Sequence, residues 1–119
     1  MSETAIMQDI RLALGSCPDI KAWRNNVGMF QEPKSGRWIR YGLFNGSADI
    51  VGLKTVTITP DMVGQRVAVF LSVEVKTPKA PKALPDDQQA WFDAIQKAGG
   101  IAVVARSVDD VRFLLAPDA

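Results

Sequence analysis

The sequence predicts an α/β domain in which a mixed sheet of about five strands is flanked by two helices. Three observations carry that prediction. Residues 67–76, Val-Ala-Val-Phe-Leu-Ser-Val-Glu-Val-Lys, alternate with period two. Val67, Val69, Leu71, Val73 and Val75 share one face of a central strand, and Ala68, Phe70, Ser72, Glu74 and Lys76 share the other. Ile6, Met7, Ile10 and Leu14, and later Trp91, Phe92, Ile95 and Ala98, recur at helical spacing. The apolar run Ile101–Ala105, directly after Gly99 and Gly100, reads as a buried strand following a closed helix.

The elements follow in order. Residues 2–14 form the first helix, with Ser2 as N-cap. Glu3 precedes Ile6 by three residues and so lies above the apolar stripe. It either complements the helix dipole or turns a carboxylate inward. Residues 20–24 read as a strand, and Asn25-Asn26-Val27-Gly28 as a turn. Pro33, Ser35 and Gly36 precede Arg37-Trp38-Ile39-Arg40-Tyr41, a hairpin strand mixing cations with aromatics. That mixture suits phosphate and base contacts, and equally an exposed strand with snorkelling side chains. Ser47–Val51 should enter the sheet, with Asp49 inside the apolar strand start. An aspartate there needs a cation or several donors, unless it serves as a turn residue near Gly46. Thr55–Thr59 alternates as a further strand and turns at Pro60-Asp61 into the central strand. Residues 77–87 form a basic, proline-rich loop carrying Lys79 and Lys82. The second helix runs from about Pro85 to Ala98. Gln88 faces inward at its first turn and Gln89 is rotated away. A short helix from Ser107 to Leu115 ends the pattern.

Composition narrows the chemistry. The 119 residues suit one domain, 1–119, with one core. There is no histidine and only one cysteine, Cys17, which excludes histidine or thiolate zinc sites, Ser-His-Asp triads and Cys-His pairs. What is left is carboxylate, lysine and hydroxyl chemistry, with or without a hard metal. No run approaches the roughly 18 apolar residues of a membrane span. The N-terminal residues lack the regions of a secretory signal, so a reducing cytoplasm is the expected compartment. The net charge of +1 favours no partner class by itself.

Glu3, Asp49, Glu74, Lys76 and Gln88 thus form an inward-facing polar set. Glu74 and Lys76 are either an incidental ion pair or a metal ligand beside a catalytic lysine. Carboxylates suit Mg²⁺ or Mn²⁺, and a lysine beside such an ion can stabilise the charge of phosphoryl transfer.

At Asp49, Glu74-Val75-Lys76 and Gln88 the chain resembles the PD-(D/E)xK nuclease superfamily. More closely it resembles the stand-alone virus-type replication-repair nuclease (VRR-NUC) domain. The resemblance runs through Trp23–Gly28, Gly46–Gly52, Val73–Thr77, Gln88–Trp91 and Gly99–Ser107. It implies a restriction-endonuclease-like core and metal-dependent hydrolysis of phosphodiesters in branched DNA, a Holliday junction or a flap. The setting implied is bacterial or phage replication, recombination or repair. By the same resemblance Glu3, Asp49, Glu74 and the Val75 carbonyl would bind Mg²⁺ or Mn²⁺, and Lys76 would be catalytic. Gln88 would steady the site; of the two adjacent glutamines, helical face and the Gln-x-x-Trp91 spacing favour it over Gln89. Arg24 and Asn25, with Lys79 and Lys82 of the basic loop, would meet the substrate strand, and a homodimer is implied. Two alternatives remain in play: a nuclease-fold module that binds DNA without cutting it, and an interaction domain whose acids hold a structural ion. Arg37–Tyr41 and residues 55–65 are the candidate dimer or DNA surfaces.

Overall fold

The structure is a computed structural model and describes residues 2–115. The chain divides into two compact units, Met1–Val56 and Thr57–Ala119.

The first unit opens with α1 (Glu3–Gly15). Ser2 caps it as expected: its extended backbone lets Oγ accept from the Ala5 N–H at 3.1 Å. Four strands follow: β1 (Ile20–Arg24), β2 (Gly28–Gln31), β3 (Trp38–Tyr41) and β4 (Ile50–Lys54). β1 and β4 pair antiparallel from Ile20↔Lys54 to Arg24↔Ile50, and α1 packs on β1. Gly52 allows this close pairing, since a Cβ there would lie 2.2 Å from the Lys21 carbonyl oxygen. β2 and β3 form an antiparallel hairpin, Gly28↔Tyr41 to Gln31↔Trp38.

The second unit contains β5 (Leu71–Val75), α2 (Asp86–Lys97) and β6 (Ile101–Ala105). It begins with a 3₁₀ turn at Pro60–Met62 and ends with a 3₁₀ helix, Val108–Leu115. β5 and β6 are parallel, in register Leu71↔Ile101 to Val75↔Ala105, and α2 is the crossover between them. α2 packs on β6, with Ile95 fully enclosed. Gly99 closes the helix at φ +95°, a conformation that disfavours any side chain. No described helix is long and apolar enough to cross a membrane.

Three expectations change. The described strands pair as three two-stranded ladders, β1–β4, β2–β3 and β5–β6, and not as one sheet of about five. The ten-residue central strand shortens to five because a ladder lasts only as long as its partner. β6 offers five residues after the helix-closing glycines, with one further bond from the Ile101 N–H to the Phe70 carbonyl at 2.8 Å. Thr55–Thr59 is not a strand. The Thr55 N–H still reaches the Asp19 carbonyl at 2.8 Å, but no ladder partner follows, and Thr59 Oγ1 bonds the Asp61 carboxylate to start the 3₁₀ turn.

Among the described residues Ile95 and Ala105 are buried, and Ile95 is the large side chain fully enclosed, which makes a stability prediction. Ile95→Ala should lower the unfolding free energy by about 2–5 kcal/mol. Ile10→Ala, at a side chain 45% exposed, should lower it by less than about 1 kcal/mol. Urea titration of both variants checks this; equal losses would mean that Ile95 does not anchor its unit.

Candidate active site

Alternation along β5 sets the site. Ser72, Glu74 and Lys76 point to its half-buried side, while Leu71, Val73 and Val75 point to the exposed side. The polar face of this strand is therefore the packed one, because α2 lies on it. The indole N–H of Trp91 donates to Ser72 Oγ at 2.8 Å, and its ring meets Phe70 edge-on with centroids 6.3 Å apart. At the far end of α2, the Ile101 N–H reaches the Phe70 carbonyl, so helix and strand run in opposite directions. One helical turn back from Trp91 is Gln88, a rise of about 4.5 Å. Two residues on from Ser72 is Glu74, about 6.6 Å along the strand. The topology thus brings the first turn of α2 level with Glu74 and Lys76, at the C-terminal end of the parallel pair. Ligand sites of α/β sheets lie at that end.

Lys76 Nζ stands 3.5 Å from Glu74 Oε1, with the two side chains 22% and 39% exposed respectively. A pair this open to water adds no more than about 1 kcal/mol to stability. Lys76 is held by its backbone too, its N–H donating to the Ala105 carbonyl at 3.0 Å. Gln88 is half-buried, and its enclosed Oε1 has no hydrogen-bond partner among the described residues. A buried acceptor left unmatched is unfavourable, and a cation or an ordered water is what it lacks. Gln89 is exposed and donates from Nε2 to Asp93 Oδ1 at 2.9 Å. The helical face expected of the two glutamines is the one observed.

The first unit holds Glu3, Arg24, Asn25 and Asp49. Both expectations of inward-facing acids there are corrected. Glu3 is exposed because its side of α1, shared with Ile6 and Ile10, turns outward, while Ala5, Met7 and Leu14 are the half-buried positions. Asp49 is exposed and sits one step outside the β1–β4 ladder, which closes at Arg24↔Ile50. Its carbonyl accepts from the Asn25 N–H at 2.8 Å. Asn25 frames the loop before Asp49: Nδ2 donates to Ser47 Oγ at 2.7 Å and the Ala48 carbonyl at 2.9 Å, and Oδ1 accepts from the Leu43 N–H at 3.2 Å. Arg24, Lys79 and Lys82 are exposed.

Sequence reasoning missed the task of Arg106. It leaves β6 beside Lys76, because the strands are parallel and in register at Val75↔Ala105. Its guanidinium donates to three carbonyls of the loop after β5: Nη1 to Thr77 at 2.6 Å and Ala80 at 3.0 Å, and Nη2 to Pro81 at 2.9 Å. Asp110 Oδ2 takes the Arg106 N–H at 2.8 Å. The loop turns at Thr77–Ala80, the Ala80 N–H reaching the Thr77 carbonyl at 3.1 Å, and exposes Lys79 there. The only signal in the sequence was an arginine placed directly after a buried strand.

The donors each unit offers a metal are oxygens: the carboxylates of Glu3 and Asp49 in the first, and the Glu74 carboxylate with backbone and amide carbonyls in the second. That set suits a small hard cation held by one or two carboxylates, with water and substrate phosphate completing its shell. Among the described residues, no three Asp, Glu or Cys side chains converge into one cluster.

Arg106→Ala should release the loop after β5 and speed tryptic cleavage after Lys79 and Lys82 at least several-fold, with α2 still protected. Timed proteolysis read by mass spectrometry checks this, and an unchanged rate would show that the loop is held without the guanidinium.

The VRR-NUC domain model matches residues 2–109 of the 119, a span that takes in most of both units. No curated protein and no solved structure matches the chain.

Proposed function

This chain belongs to the VRR-NUC family, and from that premise we propose that it is a metal-dependent endonuclease that hydrolyses phosphodiester bonds in branched DNA. The family consists of nuclease-type modules that act on DNA, with a restriction-endonuclease-like α/β fold. The observation that carries the reading is the half-buried Glu74–Lys76 pair at the C-terminal end of β5, with the donor-less Gln88 Oε1 on the adjoining helical turn.

For Mg²⁺ or Mn²⁺ the second unit offers the Glu74 carboxylate and the Val75 carbonyl, and the first unit the carboxylates of Glu3 and Asp49. Such an ion, when bound, supplies a Lewis acid for the scissile phosphate and a more acidic water. Lys76 brings a fixed positive charge, partly shielded from water, to the place where the phosphoryl oxygens gain negative charge. A charge held in advance in such surroundings acts more strongly than one in bulk water. Glu74 holds the ammonium in place at 3.5 Å. Gln88, with its enclosed Oε1, steadies the site. Arg24 and Asn25, with Lys79 and Lys82, meet the DNA backbone, where each neutralised phosphate steepens the salt dependence. The active species in this reading is a homodimer, which presents two such sites to the two sides of a four-way junction or flap.

Two outcomes follow. Lys76→Ala should reduce cleavage on the order of 10²–10³-fold while changing stability by no more than about 1 kcal/mol. Labelled four-way junction, 5′-flap, 3′-flap and duplex substrates with Mg²⁺, Mn²⁺ or EDTA provide the assay, and an unaltered rate removes Lys76 from the mechanism. Binding without cutting in every metal would identify a DNA-binding module in place of the enzyme. Asp49→Asn should weaken Mn²⁺ binding at least tenfold by calorimetry; identical affinity would leave Asp49 as a turn residue only.

A further inference from the structure

We infer that the β2–β3 hairpin is a docking site for a single-stranded segment of DNA, with Trp38 stacking on an unpaired base and Arg40, on the same face, taking a flanking phosphate. The inference rests on DNA being the substrate and not on the cleavage chemistry.

The register of the hairpin divides its side chains between two faces. Opposed residues share a face, so Gly28, Phe30, Ile39 and Tyr41 lie on one side and Met29, Gln31, Trp38 and Arg40 on the other. The first face is occupied with itself. Phe30 and Tyr41 meet with ring centroids 6.4 Å apart, and the Tyr41 ring lies over Gly28, where a Cβ would be 2.3 Å from its hydroxyl. On the second face Trp38 is 63% exposed. The other two tryptophans are engaged, Trp91 with Ser72 and Trp23 within its own surroundings, whereas the Trp38 indole meets no partner among the described residues. An aromatic plane left open beside cations is the common element of single-strand recognition, because every base has a π-face.

The hairpin is built to hold that plane still. The Glu32 N–H donates to the Arg37 carbonyl at 2.8 Å, and the Gly36 N–H to the Glu32 carbonyl at 2.8 Å. Gln31 Nε2 ties to the Gly36 carbonyl at 3.0 Å, and Gly36 adopts φ +70° at the turn. Ser35 Oγ donates to the Glu32 carboxylate, which is thereby turned back on the loop. Lys34, Arg37 and Arg40 form no ion pair among the described residues. Three free cations against one occupied carboxylate leave the hairpin positive. That charge opposes the face-to-face meeting of two copies and favours a polyanion. Intact duplex offers phosphates but no open base face, so the aromatic–cation pairing fits a strand whose bases are unstacked.

The test measures binding by the full chain, with EDTA present to prevent cutting. A forked oligonucleotide carries 2-aminopurine in its single-stranded arm, and a plain duplex serves as control. For the native chain, binding the fork should quench Trp38 emission and alter 2-aminopurine fluorescence. Trp38→Ala should weaken fork binding about 5- to 100-fold and leave duplex binding unchanged, and Trp38→Phe should restore most of the loss. Arg40→Ala should reduce the slope of log affinity against log salt by about 0.7. Equal fork binding by the native chain and Trp38→Ala, or an equal loss on duplex, would overturn the inference while leaving the nuclease reading intact. A shift from dimer to monomer in Trp38→Ala on size exclusion would overturn it in favour of a self-association surface. A native chain that binds neither DNA would overturn the inference and the nuclease reading together.

Discussion

The parallel pairing of β5 with β6 is the constraint on which the second unit depends. Parallel strands need a crossover, and α2 is that crossover, so the helix must return along the face it covers. The register Val75↔Ala105 then makes Lys76 and Arg106 leave the ladder side by side. One residue becomes the basic group of the proposed site and the other binds the carbonyls of the loop that follows. A slip of one residue in this register would send Glu74 and Lys76 to the opposite face. The hydrogen bond from Trp91 to Ser72 and the enclosure of Ile95 oppose such a slip, because both depend on α2 meeting β5 at this level.

Polar side chains on the packed face of a strand need compensation, and here each finds it differently. Ser72 satisfies an indole N–H, and Lys76 and Glu74 balance each other while keeping partial access to water. Among the described residues, Gln88 on α2 keeps an enclosed oxygen without a hydrogen-bond partner. Buried acceptors of this kind are uncommon, and they concentrate where a ligand or catalytic group completes the arrangement. The first unit handles its polar groups by another route. Asn25 uses its amide at both ends to hold the loop before Asp49, so that the aspartate stands exposed at the mouth of a ladder instead of within it.

Much of this was legible in the sequence because it is local. Ser2 as a cap, the strand Ile20–Arg24, the helix near 86–97 and the inward face of Gln88 each follow from the spacing of neighbours along the chain. The ordered stretches from Trp23 to Ser107 likewise point to the family. Less visible was anything set by a distant partner. Val67–Val69 alternates as well as Leu71–Val75 does, yet among the described residues only the latter joins a ladder, since β6 is five residues long. Thr55–Thr59 has the composition of a strand, yet it is not one of the described strands.

Residue identity and spacing along the chain carry the periodicities, the caps and turns, the absence of histidine chemistry and the family. Tertiary structure decided which side of a strand is packed. The valine-rich face of β5 is the exposed one and its polar face lies under α2, a choice that alternation alone leaves symmetric. It also decided that Glu3 and Asp49 are exposed and that Arg106 clamps the loop after Lys76. The physical reason is the same in each case. Burial and hydrogen bonding across tens of residues are properties of pairs, and a pair exists only once the chain has brought its members together.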